Sequence, residues 1–230
     1  MRRLLIALLL LVALGVGADF AAARLFESRI TTALERKYDL GQRPIVQVRD
    51  FPFLPHLATG RFSGIDLAAH DARAEGITLE TVEVHLRGVQ VSRSAMLGSG
   101  GNVRVDRADG QVELSQAQIN KLLADRLQGG SVTIAASGVR LRVDSEILGR
   151  RVEAVVTGRL GARNGQIAFL PDSVEVGGVR NPQLETRLLS QFTFDVPVPK
   201  LPGDIKVDRV TTGPGTLTLA GRAGVLEVAA

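Results

Sequence analysis

The chain has 230 residues, 28 of them basic and 24 acidic for a net charge of +4, and 45% are apolar; that balance excludes a disordered or fibrous protein. Cysteine is absent, which excludes disulfides, thiolate metal sites and cysteine nucleophiles. With no Trp and one Tyr, the core must be mostly aliphatic.

Arg2 and Arg3 precede an almost pure Leu/Ile/Val/Ala run from Leu4 to Leu14, and Val16-Gly17-Ala18 offers the small residues of a cleavage site. Residues 1–18 therefore read as a signal peptide or an N-terminal membrane anchor. Either role puts the rest of the chain outside the cytoplasm, in a periplasm or cell envelope. Without them 212 residues remain, with 26 basic and 24 acidic side chains and a net charge of +2. So small a surplus does not predict nucleic-acid binding.

From Asp19 to Tyr38 the apolar residues Phe20, Ala23, Phe26, Ile30, Leu34 and Tyr38 recur three or four apart, which predicts an amphipathic helix. Gly41 and Pro44 end it, and the period then changes to two: Ile45 to Val48, Ile65 to Ala69 and Val82 to Leu86 predict strands with one buried face. Ser115 followed by Gln118 is a capping-box pattern, so a second helix should start there, with Ile119, Leu122, Leu123 and Leu127 on its apolar stripe and Gly129-Gly130 at its end. Strands are expected at 132–136, 139–143, 152–160, 166–170 and 173–176, with Asn164-Gly165 as a hairpin turn. A short helix is expected over Gln183 to Gln191, and the tail alternates again around Gly213-Pro214-Gly215. The expectation is a single α+β domain over 19–230. In it a long, mostly antiparallel sheet is interrupted by two main helices and strongly curved by glycines such as Gly138, Gly158 and Gly161.

Reactive residues do not gather in the sequence. His56, His70 and His85 lack the spacing of metal ligands, so no metal and no cofactor are expected. The Leu97-Gly98-Ser99-Gly100-Gly101 stretch has leucine where a nucleophile elbow needs its first glycine. The acidic pairs Asp106 with Asp109 and Asp204 with Asp208 are not distinguished as acid and base. No enzyme activity is expected.

Five of the eight phenylalanines fall in two proline-rich segments. The first runs from Val48 to Leu57 through Phe51-Pro52-Phe53-Leu54 and continues to Gly60-Arg61-Phe62; the second runs from Phe192 through Phe194 to Leu201-Pro202. Such segments form either a core plug or an apolar lip that meets lipid, and residue types alone favour the plug. The lipid reading selects Phe51, Phe53, Leu54, Leu57, Phe62, Phe192, Phe194 and Leu201 as contacts. Arg49 and Arg61, which flank the first segment, are the candidates for a phosphate head group.

The chain resembles the LmeA-like family of exported phospholipid-binding proteins of actinobacterial cell envelopes. The likeness covers most of the chain: the apolar segment and long helix, the Phe51-Pro52-Phe53-Leu54 block with Gly60 downstream, Leu86-Arg87-Gly88-Val89, and the Leu201-Pro202-Gly203 turn. A glycine is common before the first Phe of that block, where Asp50 stands here. The resemblance implies a tubular lipid-binding fold in which a curved antiparallel sheet wraps a long amphipathic helix and leaves an apolar groove. It further implies non-enzymatic binding or transfer of phospholipid at the membrane surface, supporting membrane or lipoglycan maintenance, with no protein partner specified. An envelope scaffold with a fully packed core and no lipid is the alternative, and a lipid hydrolase is a third.

Overall fold

Unbroken apolar residues from Leu4 to Ala18 and the three-four spacing from Phe20 onward both favour helix. They form one continuous helix, α1 (Arg2–Lys37), with no break at the small residues before Asp19. The computed structural model describes residues 2–37, 39–74, 77–96, 99–127, 130–147, 150–163, 165–180, 189, 194–196 and 206–229. After α1 come β1 (Asp39–Leu40), β2 (Ile45–Val48), α2 (Phe53–Thr59), β3 (Arg61–Ala74), β4 (Ile77–Val91), α3 (Arg93–Met96), β5 (Asn102–Ser115) and α4 (Gln116–Leu127). Then follow β6 (Ser131–Ala135), β7 (Gly138–Ile147), β8 (Arg150–Arg163), β9 (Gln166–Val176), β10 (Val179–Arg180), β11 (Phe194–Val196), β12 (Lys206–Gly213), β13 (Thr216–Ala223) and β14 (Leu226–Ala229).

The fold is α+β and the strand pairings described are antiparallel. One sheet has the order β1-β3-β4-β5-β13-β12, with β2 on β3 and β14 on β5; the other has the order β10-β9-β8-β7-β6, with β11 on β9. The strongly curved sheet expected from the strand glycines is not found. Among the described residues both sheets have open strand orders; Gly138 takes a φ of 143° where β7 leaves the turn from β6, and Gly158 lies where the register of β8 on β9 slips after Thr157, while Gly165 makes the expected β8–β9 turn.

The chain forms two compact units, and β3, β4 and β5 contribute residues to both. Unit 1 comprises Met1–His70, Glu83–Asp109 and Ala223–Ala230. Its core joins Val46, Phe53, Phe62, Ile65, Val89 and Val105 to one face of α1, including Ala22, Ala23, Phe26, Ile30 and Leu34. Glu27, buried within α1, accepts a hydrogen bond from the Val48 amide at 3.0 Å and so fixes the helix to β2.

Unit 2 comprises Asp71–Val82 and Gly110–Arg222. Its core is aliphatic apart from Phe169 and includes Ile119 and Leu123 of α4 with Val132, Ile134, Leu141 and Val156 of the sheet. The capping-box glutamine has a different partner from the one expected, because Gln118 Oε1 accepts from the Thr78 amide. Gln116 and Asn120 close the outer edge of β6: Gln116 Oε1 accepts from the Ile134 amide at 2.8 Å, while Asn120 accepts from the Val132 amide and donates to its carbonyl at 2.9 Å. An edge strand that would template pairing with another chain is thereby satisfied by side chains. The helix expected over Gln183 to Gln191 lies outside the described residues except at Leu189, which is helical.

Candidate functional site

Three carboxylates of unit 1 build the site around the phenylalanine segment. Pro52 precedes α2 and has no side-chain acceptor for its first amides. Asp19 of α1 supplies one instead: it is 5% exposed and accepts from the Phe53 amide at 2.7 Å and the Leu54 amide at 2.8 Å. At the other end of α2, Gly60 takes the left-handed conformation at φ 68°, and its carbonyl accepts from the Val91 amide at 2.8 Å. A glycine is needed there on conformational grounds.

Asp50, which precedes Phe51, takes a structural role. Its carboxylate is buried and accepts from the Ser63 amide at 2.9 and 3.1 Å, tying the start of the segment to β3. His56 Nδ1 lies 2.9 Å from the Arg61 carbonyl, which can only accept, so that nitrogen carries the proton.

Asp66 of β3 is the third carboxylate. Arg49 donates to it through Nε and through Nη2, the latter at 2.8 Å, and His85 of β4 approaches at 2.7 Å. Partial burial pushes the Asp66 carboxyl up, but the hydrogen bonds from Arg49 and His85 and their attraction outweigh it and hold the group below the usual carboxylate range. The same hydrogen bond and attraction raise the Arg49 guanidinium above its ordinary value. The stem of Arg49 passes 3.2 Å from where a Cβ on Gly64 would lie.

The phenylalanines divide into two groups. Phe53 and Phe62 are 1% and 2% exposed and meet Phe26 of α1, with ring centroids 5.3 to 5.9 Å apart in a mutual triad. Leu57 is half-buried against the same core. Phe51 is 62% exposed and pairs with Phe20, itself 58% exposed, at 5.6 Å; Leu54 is exposed beside them in sequence. The first segment thus divides, with Phe53 and Phe62 packed inside as the plug and Phe51 and Leu54 outside. Arg61 is exposed at the start of β3. Phe194 begins β11 in register with Phe169, and Phe192 and Leu201 lie outside the described residues.

Sequence reasoning missed Asp19, Asp66 and His85. The only signal for Asp19 is indirect: a helix starting after proline needs its acceptor from elsewhere. Asp66 and His85 sit on neighbouring strands, and their pairing depends on a register that residue spacing does not reveal.

A family model described as LmeA-like phospholipid-binding matches residues 17–222. No curated protein and no solved structure matches the chain.

Proposed function

Because the chain belongs to the LmeA-like phospholipid-binding family, we propose that it binds and transfers phospholipid in the cell envelope, outside the cytoplasm, without catalysing a reaction. The observation that carries this reading is the family match over residues 17–222. Each methylene removed from water contributes about 0.8 kcal/mol, so a two-chain lipid needs an apolar shelter of many carbons.

In this reading the acyl chains enter the aliphatic core of unit 2. Half-buried Leu79, Val112, Val143 and Leu160 surround it, and Leu122 of α4 is partly exposed. Phe51 and Leu54 serve as an apolar contact for lipid. Arg49 of unit 1 meets a lipid phosphate at the membrane surface, not that of the lipid held in unit 2, with the donors that Asp66 leaves unused, since a guanidinium has five N–H groups and the carboxylate engages two of its nitrogens. Arg61 is the second head-group contact.

The test is movement of a fluorescent phospholipid from donor to acceptor vesicles. The full chain should accelerate transfer in proportion to its concentration, and neither bound nor transferred label would overturn the proposal in favour of a scaffold. Release of fatty acid or head group in the same assay would overturn its non-enzymatic part.

A further inference from the structure

We infer that α1 is a retained membrane anchor and that Phe20, Phe51 and Leu54 form an apolar collar that seats unit 1 in the lipid interface around it. The inference concerns attachment and holds whether or not the protein carries a lipid as cargo.

The first half of α1 is apolar on every side. Leu9, Leu10, Leu11 and Val12 are all more than half exposed, and four successive residues at about 100° each go round the whole helix. Added Cβ atoms at Gly15 and Gly17 would meet nothing within 4 Å. By length and composition the stretch Leu9–Arg36 of this helix qualifies as a membrane span, and its unbroken apolar part ends at Ala18. With Arg2 and Arg3 ahead of it, the positive-inside rule sends the rest of the chain to the far side.

Asp19 argues that this segment stays attached. Cleavage after Ala18 would make Asp19 the first residue, where chains fray, and so loosen the carboxylate that accepts from the Phe53 and Leu54 amides at the start of α2. In the intact chain the same residue joins the free apolar half of α1 to the folded unit.

Length then defines the collar. Leu4 to Ala18 rises about 22 Å at 1.5 Å per residue, several ångströms short of a hydrocarbon core of about 30 Å. A short span draws its flanking residues into the bilayer. Those flanks are Phe20, next to Asp19, its ring partner Phe51, and Leu54, whose amide Asp19 holds. All three are exposed, at 58%, 62% and 42%, and are of the types that sink into the head-group boundary.

Two measurements test the inference. The full chain with a C-terminal tag, exported by a bacterial cell, should keep residues 1–18 by intact mass and stay in the membrane through alkaline carbonate. A soluble product beginning at Asp19 would overturn the anchor. Because the chain has no Trp, Phe51→Trp and, separately, Leu54→Trp give single reporters in chains whose melting should match the parent. In vesicles of brominated phosphatidylcholine each should lose emission, more with bromines placed shallow than deep. Unquenched emission in both variants would overturn the collar, as would equal quenching by monomeric brominated lipid without vesicles, which would mark the site as a cargo contact.

Discussion

Asp19 gives α2 the cap that its own sequence cannot provide, since Pro52 has no polar side chain. Asp19→Ala leaves two amides at the helix start without their acceptor and should cost about 2 kcal/mol, read as a lower denaturation midpoint with unchanged slope. Phe53 and Phe51 make a sharper contrast within three residues. Phe53→Ala opens a cavity under Phe26 and Phe62 and should cost about 3 to 5 kcal/mol, whereas Phe51→Ala should stay within about 0.5 kcal/mol. Asp66 predicts a pH dependence. Its carboxyl is depressed in the folded protein, so its pairing stabilises above the unfolded value of about 4 and is lost as pH falls through the lower folded value. The melting-temperature gap between parent and Asp66→Asn should therefore be widest above about pH 5 and close as pH falls below that unfolded value; a gap that widens in acid would contradict the assignment. The sequence marked the phenylalanine block but did not separate its inner and outer residues. That separation depends on a short helix and a cap donated from 34 residues away.

At the scale of elements, the α4–β6 junction is held by side chains acting as strand partners. Asn120→Ala removes the partners of the Val132 amide and carbonyl and should cost about 2 to 3 kcal/mol and raise self-association by freeing the edge. Asn120→Asp keeps the acceptor for the amide but sets a charge against the carbonyl, so it should recover only part of the loss. Gly158 marks the bulge of β8: an added Cβ would press on the Leu170 carbonyl and come within 2.8 Å of the Phe169 ring. Gly158→Ala should cost about 2 kcal/mol or more, measured by chemical denaturation. Periodicity placed β2, the start of α4 and β6 close to their observed bounds, because each buries one face and repeats at two or 3.6 residues, but it ended β7 at 143, shortened β8 at both ends and split β9 into two strands around Pro171. It divided α1 at Asp19 because hydropathy changes there while helix propensity does not. It read Gly138 and Gly158 as curvature where the first leaves a turn and the second marks a bulge, since the same residue type serves all three and only strand register tells them apart.

For the whole molecule, family membership and lipid binding were legible because the apolar segment, the Phe-Pro block and Gly60 lie in one stretch of chain. The polar half of the site was less so: Arg49 could be named, but its commitment to Asp66 beside His85 is made across strands. Two kinds of lipid contact are proposed for this chain, and they must be told apart: the bilayer around α1 and its collar, and acyl chains within unit 2, whose core is aliphatic. The most direct test is photo-crosslinking of the full chain by a phospholipid with a photoactivatable acyl chain, mapped by peptide mass spectrometry. The account predicts label on peptides from α4 and from β6 to β9, competed away by unlabelled phospholipid. Label confined to α1 and the Phe51–Leu54 collar, with unit 2 unmarked, would contradict it.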